Sequence, residues 1–220
     1  MMKSIICVLL MLSSLCLPSL QAQGQDGWPG IPPIRVGDPL VLINQTSFLV
    51  VMGAAATSYA ITKWAGDNQT LNFALVRGGY FGAMFHTSIV MENIGLEKRL
   101  APWFGIGLEL NNQQWIAPNY SGAGMGLNSY YRWYVLGSRR FSPYMEHGAG
   151  VFYGFSKFPE GGTNFTFNLT SAFGVEYTFD NQYKIRTSYG HIHHSNNNLL
   201  DVNPGIDGNG VNVTFLWSLD

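Results

Sequence analysis

The sequence predicts an all-β fold, an eight-stranded antiparallel transmembrane β-barrel, and three observations support this class. Stretches of about ten residues alternate between apolar side chains and Gly, Asn or Thr, as strands do when one face meets lipid and the other a narrow lumen. Only 11% of the 220 residues are charged, against about a quarter in a typical soluble protein. Predicted connections alternate between short ones, at 137–141 and 180–182, and longer ones, at 112–123, 156–163 and 196–207.

The chain begins with a segment typical of a secretory signal peptide, residues 1–22. Lys3 supplies the positive charge, and the apolar run that follows it ends at Leu17, shortly before a candidate cleavage site. Both cysteines, Cys7 and Cys16, lie inside this segment. The mature chain is therefore expected to have no disulfide and no thiol chemistry.

An irregular N-terminal segment, 23–66, is predicted between the signal peptide and the barrel. Gly and Pro residues dominate its first half and disfavour regular structure there. Its second half is ambiguous, because the strand-like run 48–52 lies next to alanine-rich stretches that suit a helix. This segment is expected to include either a short helix or a first strand, and the barrel is predicted for residues 67–220.

The alternation of apolar and polar residues places the barrel strands. We predict strands at 69–80, 84–98, 102–112, 124–136, 143–155, 164–179, 183–195 and 208–219. An eight-stranded barrel has a lumen that side chains can fill, so charged residues on the lumen face are expected to form an internal salt-bridge network. These residues are Glu109, Arg132, Glu146, Glu176, Lys184 and Arg186. A soluble β-sandwich also alternates in this way and is the alternative fold.

The last predicted hairpin carries the residue types of a serine hydrolase. His193 and Ser195 are two residues apart on one strand and share a face, and Asp207 stands at the start of the next strand. A hydroxyl becomes a nucleophile when a base takes its proton, and the base works best when a third group orients it. All three side chains are in phase with the outward apolar set, so a lipid is expected to reach them more easily than a soluble substrate.

The motif formed by His193, Ser195 and Asn196, followed by Asn203-Pro204-Gly205-Ile206-Asp207, resembles the lipid A 3-O-deacylase (PagL-like) family of outer-membrane enzymes. The motif itself covers the C-terminal hairpin. The rest of the chain resembles the family only in its barrel pattern and its signal peptide. It implies that the chain lies in the outer membrane of a Gram-negative cell. It also implies lipid A of lipopolysaccharide as the substrate, with no cofactor, and it leaves a homodimer open.

The resemblance also implies a role for each residue of the motif. Ser195 would attack an ester carbonyl, His193 would act as general base and then acid, and Asp207 would orient His193. Asn196 and Asn203 would stabilise the oxyanion or shape the loop. The family member compared has Glu at the acid position, so Asp207 is a departure that shortens the arm by one methylene.

Two other functions remain open from the sequence. A metal-binding barrel would use His191 and His193, which share a face, with Asp201 or Asp207 as a further ligand, since open zinc sites use three protein ligands. A structural or adhesion barrel would have no catalysis at all. His194 points inward by parity and is expected to form hydrogen bonds in the lumen. The net charge of −1 excludes the basic footprint of a nucleic-acid binder.

Overall fold

The computed structural model describes residues 45–64, 71–84, 86–137, 139–180, 182–196, 199–200 and 202–219. These residues form one helix, α1 (Gln45–Trp64), and eight strands. The strands are β1 (Leu71–Ala83), β2 (Thr87–Ala101), β3 (Phe104–Ile116), β4 (Ser121–Tyr134), β5 (Phe141–Phe158), β6 (Thr163–Thr178), β7 (Tyr183–Ser195) and β8 (Ile206–Ser218). The predicted signal peptide, 1–22, and the first half of the 23–66 segment lie outside the described residues.

The strands close into an antiparallel barrel in which each strand pairs with the next along the chain and β8 pairs with β1. The predicted fold class is confirmed. We call the end with α1 and the C-terminal end of β8 the termini end, with connections at 102–103, 135–140 and 179–182. The opposite, loop end has connections at 84–86, 117–120, 159–162 and 196–205.

Two of the predicted long connections are wrong, because the strands continue through them. β3 extends to Ile116 and β5 to Phe158, which leaves only 117–120 and 159–162 between strands. The polar run after Leu110 has the composition of a loop. Its alternate side chains, however, are buried in the lumen (Asn111 and Gln113), so the run is a strand with amide groups on its inner face.

The outer wall of the barrel is apolar, as a lipid-facing surface requires. Exposed aliphatic side chains cover its middle, among them Ile94, Leu96, Leu108, Leu127 and Val213. Exposed aromatic rings lie towards both ends of the strands. Among them are Phe141, Phe179 and Tyr183 at the termini end, and Tyr80, Tyr153 and Phe155 at the loop end, whereas Phe173 and Tyr189 are exposed nearer the middle of the wall.

The middle of the lumen is filled by a buried ion-pair network, as the sequence predicts. It comprises Arg77, Glu97, Arg99, Glu109, Arg132, Glu146, Glu176, Lys184 and Arg186. Arg186, for example, donates to both carboxylate oxygens of Glu97 at 2.6 and 2.7 Å. Because buried charges are costly unless they are paired and hydrogen-bonded, the network fixes how these strands face one another.

An apolar cluster seals the lumen above this network, at the loop end. Its members are Phe81, Ala83, Ile89, Met91, Trp115, Phe152, Phe158, Ile192 and Ile206. The ring centroids of Trp115 and Phe158 are 4.4 Å apart. Only glycine fits at position 122, because a side chain there would collide with the ring of Trp115. The packed rings fill the lumen at this end with apolar side chains.

Helix α1 packs on the outside of the barrel at its termini end. Ala55 lies in an apolar cluster with Leu100, Ala101, Trp103, Phe104 and Trp133. The hydroxyl of Ser58 accepts a hydrogen bond from Trp133 Nε1 at 3.0 Å, which fixes the helix against β4. No helix among the described residues is long and apolar enough to cross a membrane.

Replacing Ser58 by Ala is expected to loosen this helix. The change leaves the buried Trp133 N–H without its acceptor, which costs about 1–3 kcal/mol of unfolding free energy. Denaturant unfolding of the refolded protein measures the change. The matched control is Thr57→Ala on the exposed side of the helix, which is expected to stay within about 0.5 kcal/mol of wild type. Equal effects of the two changes would contradict the docking role of Ser58.

Candidate active site

The β7–β8 hairpin brings the predicted base and acid together. His193 and Asp207 are direct partners in the antiparallel ladder, so their side chains leave the same face of the sheet at the same level. His193 Nδ1 lies 2.7 Å from Asp207 Oδ1. Both side chains are on the outer wall and partly exposed, at 22% for His193 and 41% for Asp207. The shorter arm of Asp207 therefore suffices to reach the imidazole.

Ser195 ends β7 on the same face as His193, one pleat away. Its hydroxyl donates to Asn203 Oδ1 at 3.1 Å, and the backbone N–H of Asn196 donates to the same oxygen at 2.9 Å. Asn203 thus connects the 196–205 loop to the end of the strand. Gly205, with φ 61°, adopts the left-handed conformation that favours glycine and turns the chain into β8.

Asn196 is buried, and its N–H groups hold the loop. Its side-chain Nδ2 donates to the carbonyl of Val202 at 2.7 Å and to Thr163 Oγ1 at 3.3 Å. Together with the backbone bond to Asn203, these contacts account for its three N–H groups. The loop beside Ser195 is therefore fixed by side-chain hydrogen bonds at both of the predicted asparagines.

A second histidine, His191, contacts the same carboxylate, whereas the sequence grouped the two only as possible metal ligands and predicted no hydrogen bond between them. His191 Nε2 lies 3.1 Å from Asp207 Oδ1, and its Nδ1 lies 3.1 Å from Asn209 Oδ1. The side chain is buried although it is at an outward position. The signal was present in the sequence, because positions 191 and 193 share a face of β7, as 207 and 209 share a face of β8.

The metal alternative receives no support from the described residues. No group of three or more His, Cys, Asp or Glu side chains within them is arranged to hold an ion. Asp201 lies outside the described residues. His194 points into the lumen as predicted, where its ring nitrogens lie 2.9 Å from Gln113 Oε1 and 3.1 Å from Thr166 Oγ1.

The chain matches one protein-family model and is similar to several solved structures. The family model described as lipid A 3-O-deacylase (PagL) matches residues 80–215. The crystal structure of the outer membrane enzyme PagL is similar, with a TM-score of 0.54 and 13% identity over 64% of this chain and 97% of that chain. Neisserial surface protein A (NspA) is also similar, with a TM-score of 0.52 and 11% identity over 68% of this chain and 97% of that chain. No curated protein sequence matches the chain significantly.

The two kinds of similarity carry different conclusions. At these identities the likeness to solved structures establishes the barrel fold. The family match covers most of the barrel and includes the hairpin with His193, Ser195 and Asp207.

Proposed function

The chain belongs to the lipid A 3-O-deacylase (PagL) family, and on that premise we propose that it is an outer-membrane serine esterase. Its substrate is lipid A, from which it removes the ester-linked acyl chain at the 3-O position. The observation that carries the proposal is the contact of His193 with Asp207, one pleat from Ser195 on the outward wall. A homodimer, which the sequence leaves open, stays a prediction.

The proposed reaction uses Ser195 as the nucleophile. His193 Nδ1–H donates to Asp207, which leaves Nε2 unprotonated and ready to accept the serine proton. The serine hydroxyl turns from Asn203 towards His193, and its oxygen attacks the ester carbonyl. The tetrahedral intermediate expels the sugar alcohol, which takes the proton from His193, and an acyl-enzyme remains. A water molecule then gives a proton to His193 and attacks the acyl-enzyme. The fatty acid leaves as Ser195 Oγ takes that proton back from His193, which restores both side chains.

The oxyanion of the tetrahedral intermediate needs donors that are already in place. The N–H groups of Asn196 already donate hydrogen bonds that fix the loop, so we assign this residue the loop-shaping role. Asn203 is the better candidate donor, because its amide lies against the hydroxyl of Ser195.

The position of the site suits a lipid substrate. His193, Ser195 and Asp207 are at outward positions near the loop end, where polar groups are tolerated because the interface is close. With the loop end facing the cell exterior, the site lies at the level of the outer leaflet, where lipopolysaccharide resides. A lipid then presents its ester from the side, without leaving the membrane.

Lipid A mass spectrometry tests this function. The wild type and Ser195→Ala are expressed in a Gram-negative host, and folding of each in the outer membrane is checked by the mobility difference between boiled and unboiled samples. Loss of one hydroxyacyl chain from lipid A is expected with the wild type only. Fragmentation of the product ions in the mass spectrometer then identifies the position that was cleaved.

The outcomes separate the proposal from a non-catalytic barrel. Unchanged lipid A, both in cells and with purified wild type in detergent micelles, would overturn the proposal. Equal deacylation by both proteins would instead overturn the role of Ser195.

A further inference from the structure

His191 is the strongest feature of the site that the proposed reaction does not use. Its ring is 2% exposed although it occupies an outward strand position, where a polar side chain is costly unless it is paired. Both of its nitrogens have a partner, and one of these partners is the carboxylate of Asp207. Because the ring is shielded in this way, it acts on the reaction through Asp207 and not by touching the substrate.

The chemistry of the contacts fixes where the proton of His191 lies. A carboxylate only accepts hydrogen bonds, so an unprotonated Nε2 at 3.1 Å from Asp207 Oδ1 would set lone pair against lone pair. Nε2 therefore carries a proton. Either the ring is doubly protonated and also donates to Asn209 Oδ1, or the Asn209 amide turns so that its nitrogen donates to Nδ1. In both arrangements His191 donates to Asp207.

We propose that His191 is a positioning residue, held by Asn209, which fixes Asp207 for its contact with His193. The inference rests on the proposed function, since it assigns a part in the same triad. Asp207 is partly exposed, so its carboxylate has rotamer freedom unless a second donor fixes it. The same oxygen, Oδ1 of Asp207, accepts hydrogen bonds from both His191 and His193. His191 therefore fixes the oxygen that orients the base.

The test compares His191→Leu with His191→Gln. Leu keeps apolar bulk and removes the donor, whereas the amide nitrogen of Gln can take the place of Nε2. We expect kcat for purified lipid A in detergent micelles to fall about tenfold to a hundredfold in His191→Leu, the effect of one hydrogen bond to a charged group. KM should stay unchanged, and His191→Gln should recover most of the rate. Tyr189→Leu, a change at the next outward position of β7, is the control and should leave kcat unchanged.

The outcomes distinguish this inference from the proposed function. Rates are taken per folded molecule, beside wild type and Ser195→Ala. A wild type as inactive as Ser195→Ala would overturn the proposed function and the role of His191 with it. An active wild type with unchanged kcat in His191→Leu, or equal losses in the Leu and Gln variants, would overturn the positioning role alone.

If His191→Leu does not fold, Asn209→Ala carries the test. It frees the far side of the His191 ring and should lower kcat about two- to tenfold at constant KM. Unchanged kcat in Asn209→Ala would then overturn the inference, because the support of the His191 ring would not matter.

Discussion

Asp207→Asn is expected to lower kcat for lipid A hydrolysis by about 10⁴-fold, the loss seen when the orienting carboxylate of a triad becomes an amide. His193 and His191 both direct a nitrogen at Oδ1 of Asp207. An amide has no negative charge to stabilise the imidazolium that forms as His193 takes the serine proton. If its nitrogen faces His193, the ring also adopts the tautomer in which Nε2 is already protonated.

The matched control is Asp207→Glu, which keeps the charge and lengthens the arm by one methylene. We expect this variant to retain much of the rate after a small backbone adjustment at the start of β8. Release of hydroxyacyl chains from purified lipid A, measured against the folded amount of each variant, gives the comparison. An Asp207→Asn enzyme close to wild type, beside an inactive Ser195→Ala, would mean that His193 needs no carboxylate.

Arg132→Met is expected to be the most destabilising single change in the lumen. The guanidinium reaches three carboxylates, those of Glu97, Glu109 and Glu146, and it is fully buried. Without the guanidinium, these three carboxylates lose a cationic partner and its N–H donors in the interior of the barrel. Breaking a buried ion pair from one side costs about 3–5 kcal/mol of unfolding free energy.

Denaturant unfolding in detergent micelles measures this effect through the tryptophan fluorescence of the barrel. Arg139→Met, the same change at an exposed position in the β4–β5 connection, is the control and is expected to stay within about 0.5 kcal/mol. If the two variants unfolded alike, the network would fill the lumen without stabilising it, and shape alone would explain its presence.

Much of this architecture can be predicted from the sequence, because successive side chains of a β-strand alternate between its two faces. Parity placed Glu109, Arg132 and Arg186 in the lumen and His193 on the outer wall, as the structure shows. The same parity put His194 inside, where it contacts Gln113. Faces are predictable because a side chain's direction depends only on its own strand.

Register and strand length were harder to predict, since they depend on partners elsewhere in the chain. The amide-rich end of β3 resembled a loop because its stabilising contacts are across the lumen, such as that of Gln113 with His194. The contact of His191 with Asp207 needed the pairing of β7 with β8 residue by residue. Parity alone gives the shared face and leaves the partner of His191 open between Asp201 and Asp207.

The ladder pairing of His193 with Asp207 has a consequence for the timing of activity. The pair is set by the alignment of two strands, and an isolated two-stranded hairpin is at best marginally stable in water. A chain in transit to the membrane, before β8 pairs with β1, would therefore lack a lasting base and acid. On the proposed function, hydrolysis would therefore begin only once the barrel has closed.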